Sequence, residues 1–126
     1  MNREIINSSS APAAIGPYSQ AVRVGDTVYC SGQIPIDPAN GTLVMGSVEE
    51  QTSQVLDNLQ AVLSAAGLSM SDVVRCTVFV SDLEHFDRVN EVYARYFPSD
   101  PPARATVEVS RLPKDVAVEI SCIAVG

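Results

Sequence analysis

The chain has 126 residues, enough for one domain that buries about two-thirds of its unfolded surface. Hydrophobic residues make up 46% and charged residues 18%, which excludes a disordered chain and makes disulfide or metal staples unnecessary. Fifteen Asp and Glu against eight Lys and Arg give a net charge of −7. With Lys114 the only lysine, no basic surface for a phosphate backbone can be assembled, which disfavours a nucleic-acid partner.

The first sixteen residues, MNREIINSSSAPAAIG, carry a charge pair and no long apolar core. Neither a signal peptide nor a membrane span is expected there, and the simplest reading is a cytoplasmic protein. REIIN reads as a short strand, and SSSAPAAIGPYS as a loop rich in turn formers. In QAVRVGDTVYCSG, two β-prone runs flank Gly25 and Asp26, a hairpin signal. DPANGTL is a turn-rich excursion.

Ser47 and Glu50 stand at capping-box spacing and Gly67 supplies a stop, which predicts a helix between them. Val55, Leu59, Val62, Leu63 and Ala66 fall on its sheet-facing side. DVVRCTVFVSD follows as a strand. Ser81 and Glu84 suggest a second capping box, ahead of a helix whose apolar stripe is Phe86, Val89, Val92, Tyr93 and Tyr96. PPARATVEVSRLPKDVAVEISC supplies two last strands.

The predicted order is β-β-β-α-β-α-β-β in a single domain over residues 1–126. Its class is α+β, a mixed sheet of about six strands with two helices on one face. The other face, left with Val, Ile, Ala and Thr, argues for an oligomer.

Cys30, Cys76 and Cys122 lie among apolar or β-prone neighbours and are expected as buried, reduced thiols. With one histidine, His85, and no C-x-x-C, no metal site is expected. His85 itself is expected at the surface.

Two charges interrupt the last strands. Period two puts Arg104, Thr106 and Glu108 opposite Ala105, Val107 and Val109, and Glu119, Ser121 and Ile123 opposite Val118, Ile120 and Cys122. If the more apolar sides lie beneath the helices, Arg104 and Glu119 share the face that an oligomer would cover. They are either an ordinary ion pair or solvated charges, or a site. In a site, the guanidinium grips a ligand carboxylate with two parallel hydrogen bonds and Glu119 transfers protons beside it.

IGPYSQA (residues 15–21), SGQIP (31–35), VFVSDL (78–83), PPARATVEV (101–109) and RLPKDVAVEI (111–120) occur in that order and span nearly the whole chain. In these stretches the chain resembles the Rid family, also called YjgF-like or reactive-intermediate deaminase proteins. The resemblance implies a chorismate-mutase-like fold, a homotrimer with ligand clefts between subunits, and an extra strand between the last two, so that Arg104 and Glu119 meet across a subunit boundary.

It further implies hydrolysis of 2-imino acids or their enamines, such as 2-iminopropanoate and 2-iminobutanoate, to 2-keto acids and ammonia, without cofactor or metal. Arg104 would bind the carboxylate and Glu119 would handle water. Tyr18, Ser31, Gly32 and Asn90 would line the cleft, and the backbone N–H of Thr106 would bind substrate.

Many active members carry Cys where this chain has Thr106, a departure that bears on a thiol role more than on the activity; Cys122 is expected in the core. Read from its own type and setting, Tyr18 is most often a packing residue with a bonded hydroxyl, and Asn90 is equally a plain exposed helix residue. Other readings are a regulatory trimer that binds small molecules without turnover, a deaminase for a larger enamine such as 2-aminomuconate, and an RNA-cleaving or translation-inhibiting protein. The acidic charge weighs against the last.

Overall fold

Gly25, at φ 60°, takes a left-handed conformation that costs glycine little, and it closes the expected hairpin. In the computed structural model, which describes residues 2–126, β2 (Ala21–Val24) and β3 (Thr27–Gln33) flank it. The strand β1 (Arg3–Ile6) pairs antiparallel with β2, and residues 7–20 form the expected loop. After α1 (Val48–Ala65) come β4 (Val73–Val80), α2 (Phe86–Tyr96), β5 (Ala103–Glu108) and β6 (Val118–Val125). The element order is the predicted one.

The six strands form one mixed sheet in the order β1-β2-β3-β6-β4-β5. β6 runs antiparallel to both β3 and β4, and β4 runs parallel to β5 through α2. β4 therefore separates β5 from β6, so SRLPKD is not a hairpin turn but a longer connection, with Lys114 and Asp115 at positive φ.

α1 begins as expected. The Ser47 hydroxyl accepts the Glu50 N–H at 3.1 Å and Glu50 reaches back to Ser47. At the other end Gly67, at φ 76°, turns the chain so that the Leu68 N–H bonds the Leu63 carbonyl at 2.9 Å, the pattern that satisfies a helix's last carbonyls. Val55, Leu56, Leu59, Val62 and Leu63 are buried against the sheet.

The second helix departs from expectation. Asp82, not Ser81, makes the cap, its carboxylate accepting the Glu84 N–H at 2.9 Å, and it caps a short 3₁₀ turn that precedes α2. Within the stripe, Val89, Val92 and Tyr93 are buried, whereas Phe86 is exposed and Tyr96 half-buried; Phe97, just past the helix, completes the core. His85 is half-buried at the start of α2, its Nδ1 enclosed without a partner.

The three thiols are free and buried in one row across the sheet, Cys30 opposite Cys122 and Cys122 opposite Cys76. Burial pushes the Cys76 thiol up. Directly opposed residues share a sheet face, and the next member of that row is Arg104, opposite Cys76.

This corrects the assignment of faces. Arg104 lies on the helix side, whereas the row Glu119, Phe79, Val107 lies on the open side. β5 is an edge strand whose apolar alternate turns outward, leaving Val107 42% exposed, and Arg104 sits beneath α2. Period two found the alternation, but at an edge the more apolar side is not the covered one.

Candidate active site

The candidate residues fall into two clusters on opposite faces of the sheet. The first is a cleft of about 370 Å³ lined by Tyr18, Ser31, Gly32 and Glu119, with Pro12, Ile15, Ile34, Ile36 and Pro113 among its apolar walls. Its floor is a β-bulge. Between Cys30 and Gln33 the register of β3 against β6 slips, with Cys30 facing Cys122 but Gln33 facing Ile120. One extra residue on a bulged strand re-aims the groups beside it.

Gly32 in that bulge has a steric task. A Cβ there would stand 2.5 Å from Glu119 Oε2 and 2.9 Å from its Cδ. The carboxylate thus lies where any larger residue would put its side chain. Glu119 is half-buried, has no ion-pair or hydrogen-bond partner for its carboxylate among the described residues, and is held above the usual carboxylate range by desolvation. A carboxyl raised by burial gives and takes protons more readily at physiological pH than an ordinary exposed one.

Ser31 acts on the wall of the cleft. Its N–H donates to the Gln20 carbonyl at 2.9 Å and its hydroxyl to the Ser19 carbonyl at 2.6 Å. The hydroxyl proton is thereby used to anchor the loop, and only the oxygen's acceptor capacity is left for a ligand. Tyr18 is 48% exposed at the rim, its hydroxyl accepting the Ile15 N–H at 3.3 Å.

Two further residues position the walls of the cleft, and neither periodicity nor capping singles them out. Gln20 is buried; its side-chain Oε1 accepts the Ser8 N–H at 2.6 Å and its side-chain Nε2 donates to the Pro12 carbonyl at 2.7 Å, tying the loop to the sheet. Asn58, buried in the middle of α1, donates to the carbonyls of Ile34 and Ile36 at 3.3 and 2.9 Å and fixes the opposite wall. A buried amide in an otherwise apolar setting is the one hint of such a task.

The second cluster lies between α2 and β5. Arg104, Asn90, Tyr93, Phe97, Pro101 and Pro102 line a shallow cleft there, also of about 370 Å³. The Arg104 guanidinium has no carboxylate partner among the described residues and stands over the rings of Tyr93 and Phe86. Asn90 is half-buried on the same side of α2. Thr106 lines neither cleft; its hydroxyl is buried without a partner. Two unpaired opposite charges on the two sides of a sheet are not the ordinary ion pair of the simpler reading.

The family model described as Endoribonuclease L-PSP matches residues 8–126. A crystal structure of the Rid-family protein YyfA from Yersinia pestis is 47% identical with a TM-score of 0.96, covering 99% of this chain and 100% of that one. The chain belongs to the Rid/YjgF family. Among members of the family, a 2-iminobutanoate/2-iminopropanoate deaminase of Bos taurus is 52% identical over 98% of this chain and 90% of its own. Escherichia coli TdcF, whose structure holds bound serine, is 45% identical with a TM-score of 0.94, covering 98% of each chain.

Proposed function

We propose that this Rid-family chain hydrolyses small 2-imino acids, such as 2-iminopropanoate and 2-iminobutanoate, to 2-keto acids and ammonia, at clefts completed between the subunits of a homotrimer. The observation that carries this reading is the pair of incomplete half-sites. One presents an unneutralised guanidinium, the other an unpaired, desolvated carboxylate beside a bulge, and a small ligand cannot touch both through the sheet of a single subunit.

The exposed apolar residues of the open face, Tyr29 at 51%, Ile5 at 45% and Val107 at 42%, supply a surface for a second copy. Docking of one subunit's β5 edge near the next subunit's bulge would bring the two halves to one ligand. The relatives support the chemistry: one carries the deaminase name, and another binds serine, a small α-amino acid with the same carboxylate.

Arg104 holds the substrate carboxylate with two parallel N–H bonds. The protonated imine carbon is electrophilic, so attack requires only a positioned water and a base. Glu119 takes one proton as the water oxygen bonds to C2 and the C=N electrons return to nitrogen. It passes that proton to the amine of the carbinolamine. As the C–N bond breaks, Glu119 accepts the hydroxyl proton, the carbonyl forms and ammonia leaves, to be protonated in turn.

The deciding experiment couples a threonine dehydratase, which generates the imine, to semicarbazide trapping. Suppression of the trapped imine with faster ammonia release is expected; no effect on either overturns the deaminase reading. The bound serine of TdcF favours one competitor, a trimer that binds amino or keto acids without turnover, and in that case a 2-keto acid binds while ammonia release stays at the uncatalysed rate.

A further inference from the structure

Arg104 is a cation on a chain of fifteen carboxylates, yet among the described residues none of them holds it. Aromatic rings do. Its guanidinium carbon lies 4.8 Å from the ring centroid of Tyr93 and 5.5 Å from that of Phe86. The two rings are two turns apart on α2 and so project from the same side of the helix.

Packing accounts for one of these rings and not the other. Tyr93 is buried and stacks at 4.7 Å against Phe97, whereas Phe86 is 38% exposed and outside the apolar core. An aromatic face attracts a guanidinium through its negative quadrupole. Unlike a carboxylate, it neither cancels the charge nor occupies the N–H donors. Tyr93 adds no anion of its own, because burial pushes its phenol up and keeps it protonated.

We propose that Phe86 and Tyr93 are positioning residues: an aromatic clamp that fixes the Arg104 guanidinium by its face and leaves its N–H edge free for a substrate carboxylate. The inference rests on the deaminase reading for its substrate, but the clamp itself is a property of the protein that can be observed without turnover. Without it, a long flexible side chain would spend part of its time in conformers turned away from the cleft, and binding would fall by the fraction of competent conformers.

The test combines spectroscopy with kinetics on Phe86→Leu, which keeps apolar bulk and removes the π face at an exposed position. In the parent, the Arg104 Nε–H proton should be shifted upfield by ring current, and the shift should shrink in Phe86→Leu. KM for the imine should rise about three- to tenfold, the range of a cation–π contact at such a site, with kcat nearly unchanged, since the ring sets how often Arg104 is poised to bind and not how it grips the carboxylate once substrate is bound. Phe86→Tyr, which keeps a ring, should restore both readouts.

An unshifted Arg104 signal in the parent, or a KM in Phe86→Leu equal to the parent's, overturns the clamp. If the parent releases no ammonia from the imine, it is the deaminase reading that fails, and the proton shift alone then decides the clamp.

Discussion

At the scale of single residues, the proposed site rests on two charges left unpaired for different reasons. Arg104 is held by rings, and Glu119 is held by its backbone neighbour's lack of a side chain. Arg104→Lys should remove most imine hydrolysis while the chain stays folded, because an ammonium cannot reproduce the planar two-point grip. Steady-state ammonia release checks this, and full activity would make Arg104 a structural residue only. Glu119→Gln keeps shape and loses the base, so turnover should fall by ~100-fold or more, while 2-ketobutyrate should bind within about tenfold of the parent by calorimetry.

The same substitution has a consequence for stability. Because burial raises the Glu119 carboxyl in the folded state, the folded chain binds a proton more readily than the unfolded one. The parent therefore loses stability as pH rises from the unfolded carboxylate pKa through the raised folded value, and the cost is fully present above that. Glu119→Gln should melt above the parent at neutral pH, and the difference should vanish on acidification below the ordinary carboxylate range. A melting-temperature series against pH would show whether the sign is right.

At the scale of elements, the bulge in β3 and the edge position of β5 decide where the two candidate half-sites lie. Gly32→Ala should leave the fold intact but push the Glu119 carboxylate from its seat, since a Cβ at 2.5 Å from Oε2 cannot be tolerated without movement. A loss of about tenfold or more in kcat, with unchanged far-UV dichroism, is expected.

The elements themselves were legible because their signals are local. Capping of α1 by Ser47, the stop at Gly67 and the hairpin at Gly25 are read from neighbouring residues. The second helix was found but its start was not, because Ser81 and Asp82 both offer a capping oxygen and only the geometry chooses Asp82. The face of Arg104 is not legible along its own strand, because sheet order is a long-range property. Alternation along β5 says which residues are opposite, and only its pairing with Cys76 says which side is covered. The bulge was equally hidden, since a register slip depends on two strands far apart in sequence.

At the scale of the whole molecule, the two half-sites make a prediction that neither charge makes alone. A trimer is expected at micromolar concentration by sedimentation equilibrium, and a monomer would leave Arg104 and Glu119 with no common ligand. Subunit mixing asks the sharper question. In a ring of copies joined by a heterologous interface, each cleft would take Arg104 from one subunit and Glu119 from its neighbour. Arg104→Lys and Glu119→Gln, each nearly inactive, should then complement one another when unfolded together at equal concentration and refolded. Random assembly puts an intact Arg104 beside an intact Glu119 in about a quarter of clefts, so activity should return to about a quarter of the parent's. If both charges served a ligand within one subunit, every cleft in the mixture would carry a defect and the refolded mixture would stay as inactive as its components.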